Sequence, residues 1–230
     1  MTLTLPSPIS RFTVYYHRHG LRATVRRAVL AARRALFSSR AVVFYCDLSK
    51  LPRPPVDSPS APTVHRVRSF GDIGSEDLQL IVHAWNPQVA NQRMQERFGR
   101  EASLWLIKRG DRLAGYGWTL QGAPIAPYYF PLTPEDVQFF DFYVFPKFRG
   151  RGIDWFLMTR VLQSVAADGA ARAFAEAGEW NRASLSSIAS TPFRRLGCVR
   201  KVTLLGQPIV FWARGDAVQP DNREAQSSRT

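Results

Sequence analysis

Cysteine is scarce in this sequence, with only Cys46 and Cys198 among 230 residues. Two cysteines exclude a disulfide-stapled scaffold and a multi-cysteine metal cluster. The four histidines show no HExxH or other metal-ligand spacing, so we expect no metal. No apolar run approaches the roughly 18 residues of a membrane-spanning helix. The basic N-terminus also lacks the apolar core and cleavage site of a signal peptide, so we expect a cytoplasmic protein.

Lysine is also rare, with four among the 31 basic residues that give the chain its net charge of +13. The charge is unevenly placed. Residues 1–60 hold ten bases and two acids, whereas the other 170 residues hold 21 bases and 16 acids. We therefore expect a basic arm before a nearly balanced body. An excess of arginine alone is weak evidence for nucleic-acid binding.

Proline marks the boundary between arm and body. Five prolines between Leu51 and Pro62 exclude a helix or a central strand and predict a stiff connector. We predict four segments: a basic helix and strand at 1–50, a linker at 51–62, a globular domain at 63–214 and a disordered tail at 215–230. Within the first segment, a helix is predicted at about His19–Phe37 and a strand at Ala41–Asp47.

The body shows more strands than helices, which predicts a mixed α/β fold with one core rather than a doubly wound sheet. Arg109-Gly110-Asp111 is a hairpin turn signal. The predicted strands are Val64–Phe70, Glu101–Lys108, Arg112–Leu120, Asp136–Phe145, Ala171–Ala177, Val199–Leu205 and Pro208–Ala213. The predicted helices are one or two within Ser75–Phe98, one at Ile153–Ala167 and a broken one at Asn181–Leu196.

One segment carries the clearest chemical signal. A buried strand ends at Pro146, a turn with Gly150 and Gly152 follows, and an amphipathic helix begins at Ile153. Glycines let the backbone approach a ligand, and the helix N-terminus attracts negative charge. Arg149 and Arg151 add positive charge, so the turn suits a phosphate or pyrophosphate. An ordinary strand-to-helix turn is the alternative, and the spacing fits neither a GxGxxG nor a GxxxxGK[ST] loop.

The same turn resembles motif A of the GNAT superfamily, the GCN5-related N-acyltransferases, through Arg149, Gly152 and position 154. Downstream, Asn181-Arg-Ala-Ser184 followed by Phe193-Arg-Arg-Leu-Gly197 is similar to the closing motif of that family. The order of elements from Val64 to Ala213 also matches. The resemblance implies a GNAT-like acyl-CoA N-acyltransferase fold.

It also implies a site. The backbone amides of Arg149, Gly150, Arg151, Gly152 and Ile153 would hold the pyrophosphate of acetyl-CoA or another acyl-CoA. Its pantetheine would lie between the strands that end at Val144 and Ala177, with main-chain contacts from Tyr143 and Val144 and with Asn181 nearby. An amine would attack the thioester while a base removes its proton and a main-chain N–H stabilises the oxyanion.

Two positions depart from the family pattern. Asp154 stands where a glycine or alanine is usual, and we expect its carboxylate to face solvent. Phe193 stands where the tyrosine general acid is usual. Among the nearby hydroxyls of Ser186, Ser187, Ser190 and Thr191, the sequence selects no replacement.

Asp141 is the best candidate base because it lies between Phe140 and Phe142, where burial would raise its pKa toward neutrality. The alternative is that Asp141 faces solvent or pairs with an arginine. Tyr143 shares its face and is the second candidate, although core packing is its expected role. The aromatic run from Tyr128 to Phe130 would line an acceptor pocket or pack in the core.

The sequence therefore predicts an acyl-CoA-dependent N-acetyltransferase whose acceptor is an amino-sugar, a small amine or a protein amino group. The alternative is a catalytically degenerate binding module that retains the fold and uses its basic arm to bind an anionic membrane or nucleic acid. Arginines flank a narrow apolar stripe in residues 18–40, a pattern typical of a helix on anionic lipid. A helix docked on its own domain has the same pattern and is preferred, with nucleic acid third. The oligomeric state is open.

Overall fold

The computed structural model describes residues 40–51, 61–85, 87–122, 124, 128–204 and 207–213, together with Val25. Four helices are α1 (Ser75–Ala84), α2 (Pro87–Phe98), α3 (Ile153–Ala167) and α4 (Arg182–Ala189). The strands are β1 (Arg40–Asp47), β2 (Thr63–Val67), β3 (Ser103–Arg109), β4 (Arg112–Gln121), β5 (Asp136–Val144), β6 (Arg172–Gly178), β7 (Arg194–Leu204) and β8 (Gln207–Trp212). Apart from Val25, the predicted helix at His19–Phe37 lies outside these residues, as do most of the linker and the tail.

All eight strands form one sheet in the order β2-β3-β4-β5-β6-β1-β7-β8. Neighbours are antiparallel except β5 and β6, which run parallel. The mixed α/β prediction is confirmed. The predicted division at 1–50 is not what the sheet shows, because β1 is an internal strand between β6 and β7. Strand order depends on long-range pairing, which local sequence patterns do not encode.

Three clusters of apolar side chains pack on the two faces of the sheet. On one face, α3 packs on the middle strands through Leu157, Val161 and Leu162, all fully buried. On the opposite face, α1 and α2 cover β2 to β4 through Ile81 and Met94. The half of that face formed by β6, β1 and β7 is covered by residues 128–132 instead. The gap between these two covers lies where β5 meets β6.

Most element boundaries fall within two or three residues of the prediction, and α3 has the predicted bounds. The broken helix at Asn181–Leu196 is wrong. Helix α4 ends at Ala189, a turn covers Ser190 to Pro192, and β7 begins at Arg194. Proline at 192 disfavours helical backbone at the residue before it, so the chain leaves the helix early and starts the strand.

Among the described residues, no helix is both long and apolar enough to cross a membrane. Those residues also contain no group of three or more His, Cys, Asp or Glu side chains arranged for a metal ion.

Candidate active site

A cleft opens where the two parallel strands separate. β5 and β6 pair only from Asp136 to Phe139 and from Arg172 to Ala175. Beyond this, β5 continues along β4 while the end of β6 continues along β1. The resulting cleft has a volume of about 620 Å³, and residues of β5, β6, α3 and α4 line it. The sheet thus provides an opening between the face that carries α3 and the opposite face.

A bulge in β5 forms one wall of this cleft. Asp141 has a left-handed φ of 51°, and the register with β4 shifts at this point. The extra residue bends the strand and turns it away from β6. Phe142 then lies on Gly117 of β4, where a Cβ atom would come within 2.5 Å of the phenyl ring. Glycine at 117 is therefore required for the bulge to pack.

The glycine turn stands at the mouth of the cleft. Gly150 and Gly152 both have φ of 70°, and Gly152 is the N-cap of α3 with no side chain bonded to the helix terminus. The first N–H groups of an uncapped helix remain available to an anion. A Cβ at either glycine would meet no atom within 4 Å, so the space in front of this backbone is open.

The basic residues of the turn are exposed, but their contacts differ. Arg149 donates through Nε to the carbonyl of Val144 at 3.0 Å and lies over the Tyr143 ring at 5.5 Å. A pantetheine group that binds the Val144 carbonyl, as predicted from the sequence, would therefore compete with the Arg149 side chain for this acceptor. Arg151 is exposed beside it. Asp154 is half-buried and lines the cleft, contrary to the expectation that it faces solvent.

Asn181 combines a structural and a cleft-lining position. Its Oδ1 accepts from the Ser184 amide at 3.3 Å, and its Nδ2 donates to Ser184 Oγ at 2.7 Å, which caps α4 at its N-terminus. Ser187 on the same helix also lines the cleft. Phe193 does not, because it is buried against Phe139 with ring centroids 5.4 Å apart.

The Asp141 carboxylate forms an ion pair and is not buried, although the sequence had suggested that it would be. Its side chain is 53% exposed and bonded to Arg97 of α2. Arg97 itself is enclosed by aromatic rings, with its guanidinium 4.4 Å from the ring of Trp85, 5.0 Å from Trp118 and 4.9 Å from Phe140. Pairing with an arginine was the open alternative for Asp141. Tyr143 packs on Tyr116 and Phe145 at 5.5 and 5.3 Å, as expected for a core residue, and also lines the cleft.

A second carboxylate, which the sequence analysis did not single out, lines the opposite wall. Glu176 lies in the middle of β6 between Ala175 and Ala177. Glu176 is exposed to solvent, yet the protein atoms packed around its carboxyl raise its pKa above the usual value. The charge of Asp141 raises this pKa further, while a hydrogen bond from Tyr129 and the charge of Lys201 act in the opposite direction. An acid flanked by alanines within a strand was the sequence signal for it.

The aromatic run from Tyr128 to Phe130 covers β6 beside Glu176. Phe130 and Tyr128 pack on Phe174 at 5.0 and 6.2 Å. Tyr129 differs because its hydroxyl bonds to Glu176, and burial raises the pKa of this phenol. Both sequence alternatives therefore apply: two rings pack in the core, and one reaches the carboxylate at the cleft.

The cleft fits the CoA thioester that the resemblance implies. A turn with two left-handed glycines lies at one end, Asn181 and the diverging strand edges lie in the middle, and the carboxylates of Asp141 and Glu176 lie at the far end. The lining includes apolar atoms of Val144, Met158 and Ile188, which suit an aliphatic chain. Of the predicted site residues, Asp141, Tyr143, Val144, Arg149, Gly150 and Asn181 line this one cleft.

Comparison with known proteins adds an independent line of evidence. The sequence model of the Acetyltransferase (GNAT) family matches residues 73–187. No curated protein sequence matches the chain. Several solved structures match the chain at low sequence identity, and the chain spans 48% to 61% of the length of two of them.

Three of these structures show the range of similarity. A GNAT acetyltransferase from Colwellia psychrerythraea is 17% identical, with a TM-score of 0.49 over 76% of this chain and 55% of that chain. One from Novosphingobium aromaticivorans is 18% identical, with a TM-score of 0.46 over 70% and 61%. A Bacillus subtilis acetyltransferase in complex with CoA is 15% identical, with a TM-score of 0.47 over 66% and 95%. The family match covers half of the chain and includes the glycine turn, the diverging strands and Asn181, and the protein belongs to the acetyltransferase (GNAT) family.

Proposed function

We propose that this protein is an acyl-CoA-dependent N-acyltransferase that transfers an acetyl group to a primary amine. The observation that carries the proposal is the cleft between β5 and β6, which joins the glycine turn to two carboxylates. The turn binds the pyrophosphate through backbone N–H groups and the charges of Arg149 and Arg151. The pantetheine then runs along the separated strand edges and delivers the thioester to the acidic end.

The acceptor enters from the face of the sheet opposite α3, because α3 and α4 cover the side where the cofactor lies. At this end, main-chain groups of β5 and β6 that face the cleft have no strand partner among the described residues. An N–H of the separated β5 edge is therefore available to the oxyanion that forms at the thioester carbonyl. The carboxylates favour an acceptor that arrives as an ammonium ion.

The test measures binding and turnover separately. Acetyl-CoA should raise the melting temperature of the purified protein, and acetyl-CoA should be consumed when a primary amine is added, with the acetylated product identified by mass spectrometry. Stabilisation without consumption across glucosamine, putrescine, tyramine and an unblocked peptide would favour the degenerate binding module, for which Phe193 at the tyrosine position is the supporting observation. No response to acetyl-CoA would contradict the proposed acyltransferase function.

A further inference from the structure

Glu176 occupies a distinct position on the cleft wall. Its neighbours Ala173, Ala175 and Ala177 pack toward α3, so alternation along β6 places the Glu176 side chain on the opposite face of the sheet. Its partner across β1 is the apolar Val43. The side chain reaches solvent through the cleft while protein atoms surround it on the other sides. Glu176 therefore lies on the side from which an acceptor approaches.

Four titratable groups face this carboxyl. Tyr129 donates a hydrogen bond to it, and Lys201 of β7 lies nearby with its Nζ 5.9 Å from the centre of the Tyr129 ring. The phenol of Tyr128 and the carboxylate of Asp141 complete the set. A carboxylate accepts hydrogen bonds at both oxygens, so a donor from Tyr129 leaves room for a ligand at the same carboxyl.

Asp141 is held differently, although it faces the same cleft. Arg97 bonds to it, and the three rings around the Arg97 guanidinium prevent that side chain from swinging away. A carboxylate that is engaged by a caged arginine is not free to contact the substrate amine. The ion pair instead fixes the β5 bulge against α2.

We propose that Glu176, rather than Asp141, is the general base for the amine acceptor and that Tyr129 positions it. The inference rests on the proposed N-acyltransferase function. The amine nitrogen forms a C–N bond to the thioester carbonyl carbon, and the C–S bond breaks. Glu176 takes the proton that the nitrogen loses, and the CoA thiolate takes up one proton. Because the acceptor arrives as an ammonium ion, it first loses one proton to solvent and Glu176 takes the second, so the products are an amide, CoA thiol and one released proton.

Glu176→Gln and Asp141→Asn are assayed with acetyl-CoA and the four amines named above, and Glu179→Gln is the matched control. Glu179 follows Glu176 by three residues, lies outside the cleft lining and is 48% exposed beside Arg40. We expect Glu176→Gln to lower kcat by about 10²- to 10⁴-fold with an unchanged thermal shift on acetyl-CoA addition. Glu179→Gln should keep turnover, whereas Asp141→Asn, which removes a charge that attracts the ammonium acceptor, should raise KM for the amine without a comparable loss of kcat.

The pH dependence of turnover provides a second readout that a structural role would not move. The base must be deprotonated, so the acid limb follows the pKa of Glu176. Asp141→Asn removes a negative charge that raises this pKa, and the limb should move to lower pH. Tyr129→Phe removes a hydrogen bond that lowers the pKa of Glu176, so the acid limb of the pH profile should move to higher pH.

The outcomes distinguish a failure of the base assignment from a failure of the proposed function. An active wild type with an equally active Glu176→Gln variant would overturn the base assignment and leave the proposed function intact. Loss of turnover in Asp141→Asn, with retained acetyl-CoA binding, would return the role to Asp141. A wild type that acetylates none of the amines would contradict the proposed function, and the base assignment would fall with it.

Discussion

A charge placed at Gly152 tests where the phosphates bind. Gly152→Asp and Gly152→Asn form a matched pair, because both side chains have nearly the same shape and both residues tolerate left-handed backbone better than most. A Cβ at this position meets no atom within 4 Å, so neither side chain is blocked sterically in the unliganded protein. The backbone strain from the φ of 70° is therefore common to both variants, and only the charge differs.

The magnitude follows from Coulomb's law. Two negative charges on a pyrophosphate about 6 Å from a carboxylate repel it by about 1.4 kcal/mol at the dielectric constant of water, a roughly tenfold loss of affinity. At a free CoA concentration of about 100 times the wild-type Kd, a ligand stabilises the native state by about 2.7 kcal/mol. At the same concentration, a ligand that binds tenfold more weakly stabilises the native state by about 1.4 kcal/mol.

The assay is the CoA-dependent change in melting temperature. For a chain of this length the difference of about 1.3 kcal/mol corresponds to roughly 3–5 °C. The Asp variant should therefore gain less from CoA than the Asn variant, and the gap should shrink at high salt because ions screen the repulsion. Equal CoA shifts for the two variants at low salt would refute the placement of the phosphates at this turn.

Three further predictions concern the rest of the chain. Asp136 is fully buried and accepts two hydrogen bonds from Arg172, at 2.6 and 2.8 Å. Asp136→Ala should therefore lower the free energy of unfolding, measured in urea, by about 3 kcal/mol. Asp168→Ala breaks an exposed ion pair and should lower the free energy of unfolding by less than about 1 kcal/mol. Burial raises the pKa of the Cys46 thiol to about 11, so this thiol should not react with Ellman's reagent at pH 8 until the protein is unfolded. The membrane hypothesis for the basic arm predicts that the full chain floats with anionic vesicles at low salt and that a chain lacking residues 1–39 does not; if both stay in the soluble fraction, the hypothesis is wrong.

Local patterns predicted those features that local forces determine. The bounds of α3 follow from a glycine turn and an apolar stripe, and the hairpin at Gly110 follows from its left-handed turn residue, which the structure has at a φ of 59°. The bulge at Asp141 left no such signal. It depends on the absence of a side chain at Gly117 on the neighbouring strand, and the pairing of these positions is not visible in either segment alone.

The choice between the two candidate bases also could not be predicted from the sequence. Asp141 and Glu176 are both acids with apolar residues on either side in a strand, so the sequence offered similar grounds for either. What distinguishes them is contributed by distant segments: Arg97 from α2 engages one, and Tyr129 from the segment before β5 engages the other. A carboxylate's availability for proton transfer depends on such partners, and sequence spacing does not reveal them.

The position of β1 explains how the sheet tolerates an open cleft at its centre. When β6 leaves β5, its last residues lose a hydrogen-bonding partner on one edge, and an unpaired strand end inside a protein is unfavourable. β1 pairs with this end on the other edge, where Ala41, Val42 and Val43 lie opposite Gly178, Ala177 and Glu176. The end of β6 is thus held in place while its cleft-facing groups remain available to a ligand. Residues 40–47 therefore act as a structural part of the site, which separates them from the basic arm that precedes them.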